Sequence, residues 1–184
     1  MLVSYIQVTS QILILKRIPC NGTYSIISAQ QELERKFQYE KELLSAALAG
    51  SIMHIHHVGG TAVPGLLAKP VIGIAVEAEP YPPGNDIIDK LAAIGYTNKG
   101  ESGVSGRTWF IKGTPREFHL HVCAPGSGII ARQIKFRDKL ISDEKLRKEY
   151  EQLKLANAHS EDIDSKACAD AKSELIRLAI AVPL

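Results

Sequence analysis

Two short apolar runs separated by a glycine-rich turn constrain the fold of this chain more than any other feature. The first run covers residues 53–58 and the second covers 71–76. Apolar runs of this length, bounded by glycine and proline, predict strands of a sheet. Such a turn is common for reasons of geometry alone, but its backbone N–H groups also suit an anion such as phosphate. The candidate anion-binding residues in the turn are Gly59, Gly60 and Thr61.

Composition narrows the class of protein. With 184 residues, 45% hydrophobic and 23% charged, the chain is typical of a single globular domain, here residues 1–184. A net charge of +2, mixed along the sequence, argues against a nucleic-acid partner. No apolar run approaches the ~20 residues of a membrane span. Three cysteines without Cys-x-x-Cys spacing predict reduced thiols and a cytoplasmic location.

The remaining segments predict a mixture of strands and helices. Residues 1–27 suggest one or two strands, and a helix is expected from Ser28 to about Gly50, opened by a capping box with Gln31. A short helix is expected over 86–94, followed by a mobile loop over 97–105 at the mouth of the site. From residue 127 onward, three amphipathic helices are expected.

A hairpin is predicted from strands over 107–112 and 117–123, because a glycine- and proline-containing turn joins them. Cationic and titratable side chains concentrate on it. Arginine offers a planar fork suited to phosphate or carboxylate, and histidine moves a proton near neutrality. The polar face of a half-open sheet is also commonly just solvated. We call the following set the cationic wall and expect it to face the glycine turn: Lys69, Arg107, Lys112, Arg116, His119 and His121.

An ordered series of these residues resembles the GrpB family. The resemblance runs from about Ser28 to the C-terminal helices and leaves 1–27 outside. It implies an α+β (α/β) fold, with a nucleotidyltransferase-like mixed β-sheet flanked by helices and a C-terminal helical segment. It also implies that the cationic wall lines a pocket. The matching positions include His57, Gly59, Thr61, Pro64, Gly65, Lys69, Pro70, Gly106, Arg107, Lys112, Arg116, His119 and His121.

Two departures from the family pattern bear on chemistry. Gly60 stands where the family has serine, and Gly73 stands where it has the aspartate that, in nucleotidyltransferases, holds magnesium. Magnesium is usually held by only one or two protein carboxylates. Glu77 is no direct substitute, since four strand residues place it roughly 13 Å along. A glycine inside a strand indicates a bulge or the close approach of another group. We therefore expect no metal site, and no cofactor is assigned.

Three classes of function stay open. The first is a metal-dependent nucleotidyltransferase or phosphotransferase, as the resemblance implies. The second is a metal-independent enzyme acting on a small organic or anionic substrate, with His119 and His121 as the acid/base pair. In that enzyme, charge is stabilised by Arg107, Arg116 and Lys69. The third is a non-catalytic module that binds a nucleotide or a CoA-like anion. All three have a small-molecule partner, for which a nucleotide or another molecule that carries phosphate or carboxylate is the candidate.

Overall fold

The computed structural model describes residues 22–159 and 174–181. The predicted strands within 1–21, and the first part of the predicted third C-terminal helix, lie outside these residues. A further helix covers 174–181. The other elements are α1 (Gly22–Ala47), β1 (Ile52–Val58), a 3-10 turn (Gly60–Ala62), β2 (Ile72–Ala78), α2 (Asn85–Ala93), β3 (Thr97–Asn98), β4 (Arg107–Lys112), β5 (Phe118–Cys123), α3 (Ile129–Ser142) and α4 (Glu144–His159).

The strands form one five-stranded sheet in the order β1-β2-β5-β4-β3. The central pair β2 and β5 is parallel, and the other neighbours are antiparallel. The prediction of an α+β domain with a mixed sheet, helical flanks and a C-terminal helical segment is confirmed. The predicted hairpin is also confirmed, as β4 and β5.

The two faces of the sheet have different coverings. One face, which we call the core face, buries Ile74, Phe110 and Leu120 against Leu44 of α1 and Leu91 of α2. Strand residues alternate between faces. The opposite face, which we call the α3 face, therefore carries Gly73, Ala75 and Glu77 of β2, together with Arg107, Trp109, His119 and His121 of the hairpin.

Helix α3 covers only part of the α3 face. Its residues Ile129, Ile130 and Ile134 pack against Val58, Ala75 and Cys123. The hairpin side chains on this face remain intermediate in exposure. The predicted apolar stripe of α3 is thereby confirmed, and it leaves a polar area over β4 and β5.

Two boundary predictions are wrong. Helix α1 begins at Gly22 rather than Ser28, so Ser28 lies inside the helix and is not its cap. The β-branched and aromatic residues over 23–27 suggested a strand, but such local propensity is only a weak signal. The predicted loop over 97–105 begins with a short edge strand, β3, which pairs with Phe110 and Ile111 of β4. This pairing is made by backbone hydrogen bonds, so the side chains in the sequence do not indicate it.

Within the part of the chain that is described, none of the helices has both the length and the apolar character needed to cross a membrane.

Candidate functional site

The glycine turn lies at the end of β1. Gly59 has φ of 79°, a backbone conformation that glycine adopts without a steric penalty, and the space around its Cα is open. Thr61, in contrast, is 2% exposed, and its hydroxyl lies 3.1 Å from Nε2 of His57. The open side of the predicted anion-binding turn is therefore at Gly59, while the Thr61 side chain is directed into the protein.

His57 connects the turn to α1. Its ring stacks on Phe37 at 4.4 Å, and its Nδ1 lies 3.4 Å from the carboxylate of Glu34. Burial lowers the pKa of His57, while Glu34 acts to raise it. A neutral ring that donates from Nδ1 to Glu34 can accept a hydrogen bond from the Thr61 hydroxyl at Nε2. The Thr61 carbonyl accepts a hydrogen bond from Gln30 at 3.2 Å. The turn is thus fixed from the α1 side.

Gly73 is a position where the neighbouring backbone comes close, as predicted for a glycine within a strand. A Cβ placed on Gly73 would lie 2.6 Å from the carbonyl oxygen of Val58, its partner in β1. The volume next to residue 73 is therefore occupied by the β1 backbone, and an aspartate there would displace β1.

Lys112 does not belong to the cationic wall, which corrects the prediction from sequence. It lies two residues after Phe110 and therefore shares the core face with it. There its Nζ lies 2.7 and 2.9 Å from the two carboxylate oxygens of Glu40. Glu40 is 1% exposed. Because residues alternate along β4, Lys112 and Arg107 lie on opposite faces of the sheet. The positive charge of Lys112 neutralises Glu40.

Lys69 also stands apart from the wall. Its side chain is exposed in the segment between the glycine turn and β2. No hydrogen bond or ion pair within residues 22–159 and 174–181 joins it to the hairpin.

The remaining members of the wall gather on the α3 face around Trp109, a residue that the sequence reasoning did not select. Nη1 of Arg116 lies 3.4 Å from Nε2 of His119, and its guanidinium lies 5.6 Å from the Trp109 ring. The Trp109 and His119 rings meet edge to face at 5.2 Å. We call this set the hairpin cluster: Arg107, Trp109, Arg116, His119 and His121. Alternation along β4, which puts Trp109 beside Arg107, was the signal for it.

The two histidines of the hairpin cluster carry little positive charge at neutral pH. Burial lowers the pKa of His119 and of His121 to about 4, with Arg116 adding to the effect at His119 and Arg107 at His121. The cationic character therefore resides in the arginines, and the imidazoles are neutral hydrogen-bonding groups. A bound anion would raise both pKa values by favouring the charged form.

Several buried polar atoms of this region have no hydrogen-bond partner among the described residues. On the hairpin these are Nε of Arg107, Nε1 of Trp109 and Nδ1 of His121, and on α3 it is Oε1 of Gln133. The Nη2 of Arg107 donates to the carbonyls of Glu101 and Ser102, both at 3.0 Å, so the loop before β4 holds this guanidinium. Buried polar atoms are nearly always paired, so unpaired ones indicate a place for a ligand or water.

The residues of this face do not fit magnesium. Positions 73 and 75 are Gly and Ala, and a Glu77 oxygen accepts the N–H of Gly126 at 3.3 Å. No group of three His, Cys, Asp or Glu side chains with metal-site geometry occurs in the described ranges. Magnesium prefers oxygen ligands, whereas the polar side-chain atoms of the hairpin cluster are all nitrogens.

A second concave region runs along α4, away from the hairpin cluster. It has exposed charged side chains and includes an ion pair between Lys148 and Glu144 at 2.7 Å. None of its lining residues has a buried polar atom without a partner. Its lining consists of Glu144, Lys145, Lys148, Glu149, Gln152, Leu153 and Leu175.

Comparison with known proteins gives consistent similarities. The sequence model of a family described as GrpB protein matches residues 23–181. The UPF0157 protein YqkA of Bacillus subtilis is 36% identical over 142 residues, which cover 76% of this chain and 41% of that protein. The crystal structure of the conserved protein GrpB from Enterococcus faecalis has a TM-score of 0.67 and 29% identity, covering 81% of this chain and 93% of that one. A weaker likeness, with a TM-score of 0.42 and 9% identity over 68% of this chain and 43% of that one, is to the Cid1 poly(U) polymerase.

Proposed function

This chain belongs to the GrpB family, and from that premise we propose that its hairpin cluster binds a small ligand carrying a carboxylate or phosphate, without a divalent cation. The observation that carries the proposal is the set of buried nitrogen atoms on β4 and β5 that lack a partner within the described residues: the donors Nε of Arg107 and Nε1 of Trp109, and Nδ1 of His121, which donates in one of its two neutral tautomers. Leaving such donors unpaired costs about 1–3 kcal/mol each, and ligand oxygens would remove that cost.

The proposed site offers two places for an oxyanion, one beside Arg116 of the hairpin cluster and the other at the open side of Gly59. At one end, Arg116 is exposed beside His119, where an anion gains charge-assisted hydrogen bonds. His119 is level with Gly73 and Val58 across the sheet. Because neighbouring strands are about 4.8 Å apart, roughly 10 Å separates His119 from the end of β1. An elongated ligand such as a nucleotide would reach from Arg116 to the open side of Gly59.

Binding is the role best supported, and catalysis is the second candidate. With pKa values of about 4, His119 and His121 are neutral at pH 7 and weak as bases before a ligand binds. Acid/base work becomes feasible once a bound anion raises those pKa values, which keeps a metal-independent enzyme as the alternative. A metal-dependent nucleotidyltransferase is disfavoured, because Gly73 and Ala75 supply no carboxylate.

A thermal-shift screen tests this proposal. Nucleotides, inorganic phosphate and small carboxylates are each added with magnesium or with EDTA. We expect at least one anion to raise Tm equally in both conditions, since a ligand at 100 times its Kd stabilises by about 2.7 kcal/mol. Product formation in EDTA would then distinguish the enzyme from the binding module.

The matched variants are Arg116→Gln, within the cluster, and Arg132→Gln, at an exposed position of α3. The first is expected to lose the anion-dependent shift and the second to keep it. A shift that requires magnesium, or one that is equal in both variants, would overturn the proposal.

A further inference from the structure

We infer that the loop between β3 and β4 is a latch that closes the hairpin cluster, and that an anionic ligand binds by displacing this loop from the Arg107 guanidinium. We call residues 101–106 the latch loop. The inference rests on the proposed function and specifies how access to that site is controlled. One guanidinium, that of Arg107, serves both the loop and the site.

The latch loop begins and ends beside residues of the hairpin cluster. Just before the loop, the carbonyl of Gly100 accepts a hydrogen bond from the backbone N–H of Trp109 at 2.8 Å. The chain then leaves the sheet and returns to it at Arg107, the first residue of β4. Residues 101–105 are all exposed. Exposed loops with few buried contacts are the segments of a protein that open most easily.

Arg107 holds the latch loop in place. Its Nη2 donates to the carbonyl oxygens of Glu101 and Ser102, both at 3.0 Å. The Glu101 carboxylate in turn accepts the N–H of Gly106 at 3.1 Å. Among the residues that the structure describes, these are the side-chain hydrogen bonds of the latch loop. The loop is therefore hydrogen-bonded to the sheet through one guanidinium.

The loop carbonyls occupy donors that an oxyanion needs. A guanidinium binds a carboxylate or phosphate best through two parallel N–H groups. In Arg107 the Nε–H and one N–H of Nη2 form such a pair, because Nη2 lies on the same side of the rigid planar group as the Nε–H. Two carbonyls already accept from Nη2, while Nε is buried and has no partner among the described residues. A ligand that binds through both nitrogens therefore takes the place of a loop carbonyl.

Burial of the unpaired donors leads to the same conclusion. Nε of Arg107 and Nε1 of Trp109 are both shielded from solvent, so an anion reaches them only after a neighbouring segment moves. The latch loop contacts Arg107 directly and is exposed along its length. A site that is open in only a fraction of the molecules has its apparent affinity reduced by that fraction. Ligand affinity is thus expected to depend on how firmly the loop is closed.

Ser102 provides a way to change the open fraction without altering a charge or a side chain of the hairpin cluster. Its φ is 46°, in the left-handed region, and among the described residues it is the only one with positive φ that is not glycine. Glycine adopts this conformation without a penalty from Cβ, whereas a β-branched residue adopts it only with strain. Ser102→Gly therefore favours the closed loop, and Ser102→Val favours the open one.

Fluorescence titrations of these variants test the inference. The protein has a single tryptophan, so Trp109 reports binding at the cluster. The ligands are inorganic phosphate, acetate and AMP, each in EDTA. For at least one of them, we expect Ser102→Val to bind about fivefold more tightly than the unmodified protein, because strain at this position raises the open fraction.

Ser102→Gly is expected to bind the same ligand roughly twofold more weakly, because the gain in the closed loop is partly offset by the freedom that glycine adds to the open one. The matched control is Ser105→Val, at an exposed position of the same loop where φ is not positive. Its affinity is expected to equal that of the unmodified protein.

Amide hydrogen exchange supplies a second measurement on the unmodified protein. In the closed loop, the N–H of Gly106 donates to the Glu101 carboxylate. We expect anion binding to speed exchange at Gly106, because the ligand displaces the loop. A ligand that only covered the site would slow this exchange.

Equal affinities in Ser102→Val and Ser105→Val would overturn the inference, and so would exchange at Gly106 that slows or stays the same on binding. In either case the anion site would still stand. If Ser102→Val does not fold, Ser102→Gly keeps the test, since unchanged or tighter binding by that variant would overturn the inference. If none of the three ligands binds to the protein or to any variant, the proposed function fails and the latch with it, which is an outcome separate from the ones above.

Discussion

At position 73, the neighbouring strand leaves no space for a side chain. A Cβ there would lie 2.6 Å from the Val58 carbonyl oxygen. At Gly60 the contacts are longer, with Ala68 Cβ at 3.0 Å and the flexible end of Lys154, its Nζ, at 3.2 Å. We therefore predict that Gly73→Ala lowers the free energy of unfolding by about 1–3 kcal/mol and that Gly60→Ala lowers it by less. Urea unfolding of the two variants measures this difference.

Equal losses in the two variants would show that β1 moves freely away from position 73. In that case, an aspartate at 73 would also fit, and the argument against magnesium would weaken. With the close contact as it is, Gly73→Asp is expected to destabilise the sheet without creating magnesium-dependent binding.

His121 is expected to make the stability of the protein depend on pH. Burial lowers its pKa from 6.5 to about 4 in the folded state, so between these values the unfolded chain binds a proton that the folded chain does not. The free energy of unfolding must then fall as the pH is lowered from 6.5 towards 4, by up to about 1.4 kcal/mol per pH unit. His119 contributes in the same direction but less, because it is more exposed to solvent.

Urea unfolding at pH 7, 6 and 5 tests this dependence. The variant His121→Gln is expected to flatten the slope, since glutamine has no proton to gain in this range. A slope equal to that of the unmodified protein would mean that His121 does not titrate abnormally.

At the scale of secondary-structure elements, the buried pair of Lys112 and Glu40 joins β4 to α1. Removing one member leaves the other charge buried and unpaired. Lys112→Met is therefore predicted to lower the free energy of unfolding by about 3–5 kcal/mol. The matched control is Lys36→Met, because Lys36 of α1 pairs at 3.1 Å with Glu117, just before β5, and both side chains are close to half exposed. That change is predicted to cost less than about 1 kcal/mol.

Thermal or urea unfolding compares the two lysine variants. Similar losses would contradict the distinction between the buried and the exposed pair, and would return Lys112 to the candidates for ligand binding.

The elements that sequence predicted well are those with a strong local signal. The apolar runs flanking the glycine turn became β1 and β2, and the glycine- and proline-containing turn gave the β4–β5 hairpin. The start of α1 was missed, because residues 23–27 are mostly β-branched or aromatic types that favour strands, and this local propensity is a weak signal. Strand β3 was missed, because an edge pairing of two residues depends on backbone bonds to β4 alone.

At the scale of the whole molecule, the sequence indicated the fold class and part of the candidate site. The resemblance to the GrpB family predicted the mixed sheet. Alternation along β4 and β5 placed Arg107, His119 and His121 on one face of that sheet. The place of Trp109 in the candidate site was not predictable, because a missing hydrogen-bond partner is a property of the packed structure. Lys112 was misassigned, because its partner Glu40 is 72 residues away in sequence.

Anion binding at the hairpin cluster depends most on one atom, the indole Nε1 of Trp109, which is buried and has no hydrogen-bond partner among the described residues. Because the protein has a single tryptophan, its indole N–H gives one cross-peak in a 1H–15N correlation spectrum. The most direct measurement titrates the anion that gives the largest thermal shift into labelled protein in the presence of EDTA. We expect this cross-peak to move to lower field and to saturate with the Kd of binding. A cross-peak that stays in place while the anion binds, or that moves only after magnesium is added, would contradict it.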